Sequence, residues 1–353
     1  MEARAGVDLG GTKVQAVVVD GRNTVRGTAR APTPRSGGPE AVISALADVV
    51  REAAGEAGIE ADARSGAAGG RAASAGRRAR AAGGGSRTTG PLTGVGVGSP
   101  GEVDVVSGVV AQARNLPGWE GAFPLAGALS EALGGVPVAV GNDVDVAVRG
   151  EFELGAGRPF RTMLGVWWGT GVGGGIVLDG RPWTGRGAAA EIGHVVVRIG
   201  GRRCPCGRRG CMEAYAGRAG MEARARKLVG RGRSTVLFDL MEERGRDRLT
   251  SGIWARALKH DDELARELID EALEALGAGV ASVCNVIDPE AVIVGGGLGV
   301  RFGEDYAARI ADAMRPHLFA SDRPPAVHVA ALGDLGGAIG AALLARPRPP
   351  RAG

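Results

Sequence analysis

Two short apolar runs open the chain, at 5–9 and 14–20 (VQAVVVD), on either side of the turn Gly10-Gly11-Thr12-Lys13 and ahead of a second turn at Asp20-Gly21. Runs of that length flanking a glycine turn predict a β-hairpin. From 39 to 57 the spacing lengthens: Val42, Ile43, Leu46, Val49 and Val50 share one face of a helix that Gly58 ends. Between 59 and 90 the pattern vanishes into an Ala/Gly/Ser/Arg tract with scarcely a large apolar side chain. Such a segment cannot bury enough surface to offset its ordering entropy, so a disordered insertion is expected there.

Periodicity resumes at GVGVGSPG (94–101), with strands expected near 102–106, 136–141 and 163–168, and another, IVLD, after Gly169–Gly175. A long helix is expected over 262–287, where Leu276, Val280, Val283, Cys284 and Ile287 fall on one face. Cys284 then reads as a small buried hydrophobe. A strand at 292–295 enters Gly295-Gly296-Gly297, and a Gly/Ala-rich helix fills about 335–345. Strand hairpins followed by helices in both halves predict an α/β class with mixed sheets and two similar lobes facing a cleft.

At 353 residues the chain is long for one core, and with 44% apolar residues it can build two. The net charge of +4 is local: between 61 and 90 six arginines face one acid, Asp62, and the remainder is near neutral. Charge therefore gives no argument for a nucleic-acid partner. No apolar run approaches the roughly 20 residues that span a bilayer. The first residues run straight into a predicted strand rather than a leader, so a cytoplasmic protein without membrane contact is expected.

Candidate chemistry concentrates in EIGHVVVRIGGRRCPCGRRGCME, which holds His194, Cys204, Cys206 and Cys211. Three cysteines and a histidine so close together point to a closed tetrahedral zinc site, structural rather than catalytic. Glu191 and Glu213 lie in the same stretch.

Glycine clusters at Gly10-Gly11, Gly169–Gly175 and Gly295–Gly299 each follow a strand, and backbone amides at such turns can converge on phosphate oxygens. Gly96–Gly101 and Gly169–Gly174 match G-x-G-x-x-G, but both run into strands where a dinucleotide fold needs a helix. No G-x-x-x-x-G-K-[ST] occurs, so Lys13 is not a P-loop lysine. Asp8, beside Gly-Gly-Thr-Lys, reads as a magnesium–phosphate carboxylate or a turn cap. Asn142-Asp143, just after an apolar strand, reads as a proton acceptor with its neighbour or as an Asx turn or helix cap.

With these residues in hand, the chain resembles the ROK family of sugar kinases and repressors, within the actin-like (ribonuclease H-like) ATPase superfamily. The matching segments are DLGGTK (8–13), GVGSPG (96–101), NLPGW (115–119), GND (141–143) with GEFELGAGR (150–158), GTGVGGG (169–175), EIGH (191–194), CPCGRRGCME (204–213) and IVGGG (293–297). They stand in the family's order over nearly the whole chain. Asp145 stands where a second Asn is common, Ala190 where Gly is common, and Trp167-Trp168 are bulkier than usual.

The resemblance implies ATP-dependent phosphorylation of a hexose 6-hydroxyl, first of all glucose. Other hexoses and N-acetylhexosamines (N-acetylglucosamine, N-acetylmannosamine, mannose, fructose) are the alternatives. The repressor branch is disfavoured, since only seven residues precede Asp8. It implies Asp143 as general base and Asn142, Asp143, Glu191, His194, Glu213 and Asn115 around the sugar. ATP and its phosphates fall to Asp8, Gly10, Gly11, Thr12, Lys13, Gly169, Thr170, Gly171, Gly173, Gly296 and Gly297, with Mg2+ accompanying ATP. His194, Cys204, Cys206 and Cys211 are implied as zinc ligands. A smaller lobe over 1–143, with a C-terminal helix at 335–346 packing back on it, would precede a larger lobe over 144–334 that carries the zinc. The implied assembly is a homodimer or a dimer of dimers.

Overall fold

In the computed structural model, the apolar runs fold into two five-stranded mixed sheets, each faced by helices. The structure describes residues 2–62, 91–113 and 116–346. The arginine tract from 63 to 90 and Asn115 thus lie outside the described residues. Two compact units are present: Met1–Gly150 with Asp334–Gly353, and Glu151–Gly333.

In the first unit, β1 (Ala3–Leu9), β2 (Lys13–Val19) and β3 (Val25–Pro32) form an antiparallel meander. The hairpin expected from the first two runs thus gains a third strand, whose alternating burial is diluted by arginines and glycine. Helix α1 (Gly38–Ala57) sets Val42, Leu46, Val49 and Val50 in the core. Each such side chain contributes about 1.5–3 kcal/mol when fully buried. Gly58, at φ 70°, caps the helix as its position predicts.

Strand β4 (Leu92–Ser99) runs parallel to β1. The small hairpin β5 (Glu102–Asp104) and β6 (Val109–Ala111) and helix α2 (Leu125–Ala132) follow. Then β7 (Val138–Asn142) joins β4 in parallel and leads into α3 (Asp143–Leu154). The sheet order is β3-β2-β1-β4-β7. The chain's last helix, Gly336–Ala342, lies against this sheet, and a methyl at Gly96 would run into the Ala341 carbonyl.

Two expectations need correction here. The insertion does not begin at 59: Ile59 and Ala61 are buried in the core, and Glu60 bridges to Pro91. The strand expected to begin at 102 is also preceded by a longer one, because Gly96 and Gly98, read as running into it, lie inside β4.

The second unit repeats the strand plan. β8 (Met163–Trp168), β9 (Val172–Leu178) and β10 (Arg181–Trp183) are antiparallel. Helices α4 (Glu213–Ala216), α5 (Arg218–Val229), α6 (Leu237–Glu243), α7 (Ser251–Lys259) and α8 (Glu263–Ile287) precede β11 (Ala291–Gly295). Helix α9 (Gly296–Met314) and β12 (Ala326–Val329) complete the order β10-β9-β8-β11-β12.

Asp262 caps α8 by accepting from the Ala265 amide at 2.7 Å. Cys284 is buried on that helix, and burial pushes its thiol up to about 12. The side chain of Glu151, 1% exposed, accepts backbone amides of Ala156, Ala331 and Leu332 at 2.8–2.9 Å. It thereby ties together the two ends of this unit. Among the described residues no helix is long and apolar enough to cross a membrane.

Candidate active site

Within the first unit, the strand register sets Asp8, Gly98 and Gly141 in one row across β1, β4 and β7. A β-carbon at Gly98 would stand 2.6 Å from Val146 Cγ2, so the missing side chain lets the first turn of α3 come down onto the sheet beside Asp8. The two carboxyls consequently feel each other. Burial first, and then the Asp8 charge, push Asp143 up to about 6. Asp8 is also raised by burial, against the opposing pull of the Lys13 ammonium.

Asn142 takes the capping role that its position allowed: its Oδ1 accepts the amides of Val144 at 2.9 Å and Asp145 at 3.2 Å. That leaves its amide nitrogen as the end available to a ligand. The turn between β1 and β2 is pinned by Thr33, whose hydroxyl donates to the Gly10 carbonyl and whose amide donates to that of Thr12. Gly11 and Thr12 are exposed at its tip. Lys13 donates to Gln15 Oε1 at 2.7 Å.

Within the second unit, Gly169–Gly171 turns β8 into β9, with the Gly169 amide bonded to the Gly171 carbonyl at 3.0 Å. Gly173 belongs to β9 itself, opposite Trp167, so only the first half of the glycine run is a loop. Glu213 Oε2 accepts the Val172 amide at 3.0 Å, and its Oε1 lies 3.7 Å from the Cys204 thiol. Gly296, at φ 78°, opens α9 in the left-handed conformation that glycine adopts at least cost. Gly297 follows, its amide nitrogen 3.8 Å from where a β-carbon on Gly169 would lie. Arg218 meets the same turn, a contact that no motif in the sequence announced. Trp168 is fully buried, its indole N–H donating to the Ala216 carbonyl at 2.7 Å, so its bulk fills the core.

The sulfur atoms of Cys204, Cys206 and Cys211 and a ring nitrogen of His194 all lie within 4.8 Å of one another. Cys206 and Cys211 are 3.7 Å apart, as are Cys204 and His194 Nδ1. All four cysteines are free thiols. The set can hold a metal ion. Burial opposes the Cys206 thiolate, but hydrogen bonds from Arg208 overcome it and bring the thiol down to about 6. Arg202, in the same stretch, is engaged elsewhere, with Glu271 at 2.6 Å. On the far side of the imidazole, His194 Nε2 faces Glu191 at 4.0 Å. Ala190, just before it, has φ 62°, which explains why glycine suits that position.

The model of the ROK family matches residues 84–348. The chain belongs to the ROK family. It is 33% identical to a glucokinase of Streptomyces coelicolor over 98% of both chains, and 30% identical to an N-acetyl-D-glucosamine kinase of Citrobacter koseri over 96% of this chain and 98% of that one. Among solved structures, a ROK family glucokinase from Streptomyces griseus in complex with glucose and AMPPNP superposes with a TM-score of 0.74, at 30% identity over 97% and 98% of the two chains. With the family comes the actin-like ATPase fold, whose mixed α/β sheets are those described above.

Proposed function

We propose that this ROK protein is an ATP-dependent hexose kinase that phosphorylates the 6-hydroxyl of glucose. The observation that carries the reading is Asp143, a buried carboxyl held near a pKa of about 6 beside Asp8. Such a group is ionised at neutral pH yet basic enough to take a proton from a hydroxyl as that hydroxyl attacks. The 6-oxygen then forms its bond to the γ-phosphorus, the bond to the β-phosphate oxygen breaks, and ADP leaves with that electron pair. The Streptomyces glucokinases support glucose as first acceptor.

Sugar hydroxyls fall to the Asn142 amide nitrogen, Glu191, His194 Nε2 and Glu213 Oε1. Donor phosphates fall to the turn of Gly10, Gly11, Thr12 and Lys13, and to Gly169, Thr170, Gly171, Gly296 and Gly297. Asp8 would hold the magnesium ion that accompanies ATP and, when bound, neutralises phosphate charge.

For the cysteine cluster we infer structural zinc. Two sulfurs about 2.3 Å from one zinc ion at a tetrahedral angle lie about 3.8 Å apart. The 3.7 Å separation of Cys206 and Cys211 fits that spacing. His194 would hold the ion through Nδ1, the nitrogen 3.7 Å from Cys204, and its Nε2 would then be the end turned to a sugar oxygen or Glu191.

The decisive test is Asp143→Asn. Its kcat is expected to fall by about 10²- to 10⁴-fold with the sugar affinity changed by no more than about threefold. A near-normal rate would sink the assignment of the base. An ADP-release screen over glucose, mannose, fructose, N-acetylglucosamine and N-acetylmannosamine fixes the acceptor, and preference for an N-acetylhexosamine would overturn glucose.

A further inference from the structure

Arg218 opens α5 and is joined to the glycine turn by both its backbone and its side chain. Its amide donates to the Gly169 carbonyl at 3.1 Å, and the next amide, Ala219, donates to the Thr170 carbonyl at 3.0 Å. One arm of its guanidinium donates to Thr170 Oγ1 at 2.7 Å, and the other to Ser251 Oγ at 3.1 Å. Ser251 Oγ in turn stands 3.1 Å from where a β-carbon on Gly297 would lie, at the first turn of α9.

Both side-chain partners are neutral hydroxyls. Among the described residues no carboxylate forms an ion pair with Arg218. Glu222, whose charge acts on it, is itself engaged by Arg226 at 2.6 Å and by the Leu249 amide at 2.9 Å. Arg248 adds a second positive charge. Burial lowers the Arg218 guanidinium from its usual value. A partly buried guanidinium held only by neutral groups keeps donors free for an anion, and its planar fork matches phosphate oxygens.

We propose that Arg218 binds the phosphate chain of the nucleotide donor, with Thr170 and Ser251 holding its guanidinium at the glycine turn. The inference rests on the ATP-dependent kinase reading above. It adds a cationic donor-binding residue to a unit whose expected phosphate contacts were otherwise glycines and one threonine.

The test compares wild type, Arg218→Gln and Arg218→Lys. Arg218→Gln is expected to raise the KM for ATP about tenfold while leaving the KM for glucose within about twofold. Lysine restores part of the loss because it keeps the charge but not the fork. Calorimetric affinity for ADP without sugar falls in parallel and becomes less sensitive to salt. An ATP KM and ADP affinity unchanged in Arg218→Gln would overturn the proposal. So would a lowered Tm with both KM values rising together, since that marks a purely structural arginine. A wild-type protein that releases no ADP with any hexose fails the kinase reading instead, and the ADP titration then judges Arg218 by itself.

Discussion

The two units carry the same device, a glycine turn joining the first two antiparallel strands of a five-stranded sheet, with an acid beside it. In the first the acid is Asp8, raised by burial and facing Asp143. In the second it is Glu213, which accepts the Val172 amide and adjoins the cysteine cluster. One carboxylate is kept poorly solvated and repelled, and the other is satisfied by the backbone it holds. On the kinase reading proposed above, the same local architecture serves reactivity in one unit and shape in the other. The largest expected separation between them lies in the metal cluster, which has no counterpart in the first unit among the described residues. Cys206→Ser is expected to release zinc and lower the Tm by roughly 10 °C. Freshly purified wild-type protein without zinc by elemental analysis would remove the cluster from this contrast.

Glu213 and Asp8 divide the comparison next. Glu213→Ala leaves the Val172 amide without its acceptor, at a cost of about 2 kcal/mol, or a Tm lower by about 5 °C. Asp8→Asn has the opposite sign. A carboxyl whose folded-state pKa lies above its unfolded value contributes stability below the unfolded value and loses it as pH rises through the folded one. That loss falls on the ionised carboxylate alone, so a neutral amide of the same shape leaves the Tm equal or higher. Turnover in Asp8→Asn falls about 10²-fold all the same, because the negative charge that would hold the magnesium of ATP is lost. Equal losses of Tm in the two variants would erase the distinction between a reactive turn and a holding turn.

Much of this contrast was legible in the sequence. Asp8, the Gly-Gly-Thr-Lys turn, Asn142-Asp143 and the Cys3His set are short-range patterns, and short-range patterns survive without coordinates. The end of α1 was legible for the same reason, through Gly58, and α8 lies within one residue of its expected span. What failed was reading glycine by composition. Gly96 and Gly98 look like a run into the next strand, yet they are strand residues cleared for the Gly336–Ala342 helix and for Val146 of α3, and only packing between distant segments reveals that. Arg218 was hidden likewise: one arginine among many in sequence, it is singled out by hydroxyls contributed from residues 170 and 251. The third strand of the first sheet was missed because its exposed positions carry arginine and threonine between small residues.

The smallest expected effect tests the repulsion between the two acids directly. The rate must rise with pH as Asp143 loses its proton, so kcat/KM, which reports the free enzyme, should show an acid limb centred near about 6. Burial is the larger cause of that elevation and the Asp8 charge the second. Asp8→Asn removes the second and leaves the first. Its residual activity should therefore show a limb moved to lower pH but still above the ordinary carboxylate value of 3.8. A limb that stays in place would mean that burial alone sets Asp143, and that the two carboxyls are neighbours without being a coupled pair. A limb that falls all the way to the ordinary carboxylate range would mean the reverse, that the desolvation of Asp143 depends on Asp8 holding the start of α3 against the sheet.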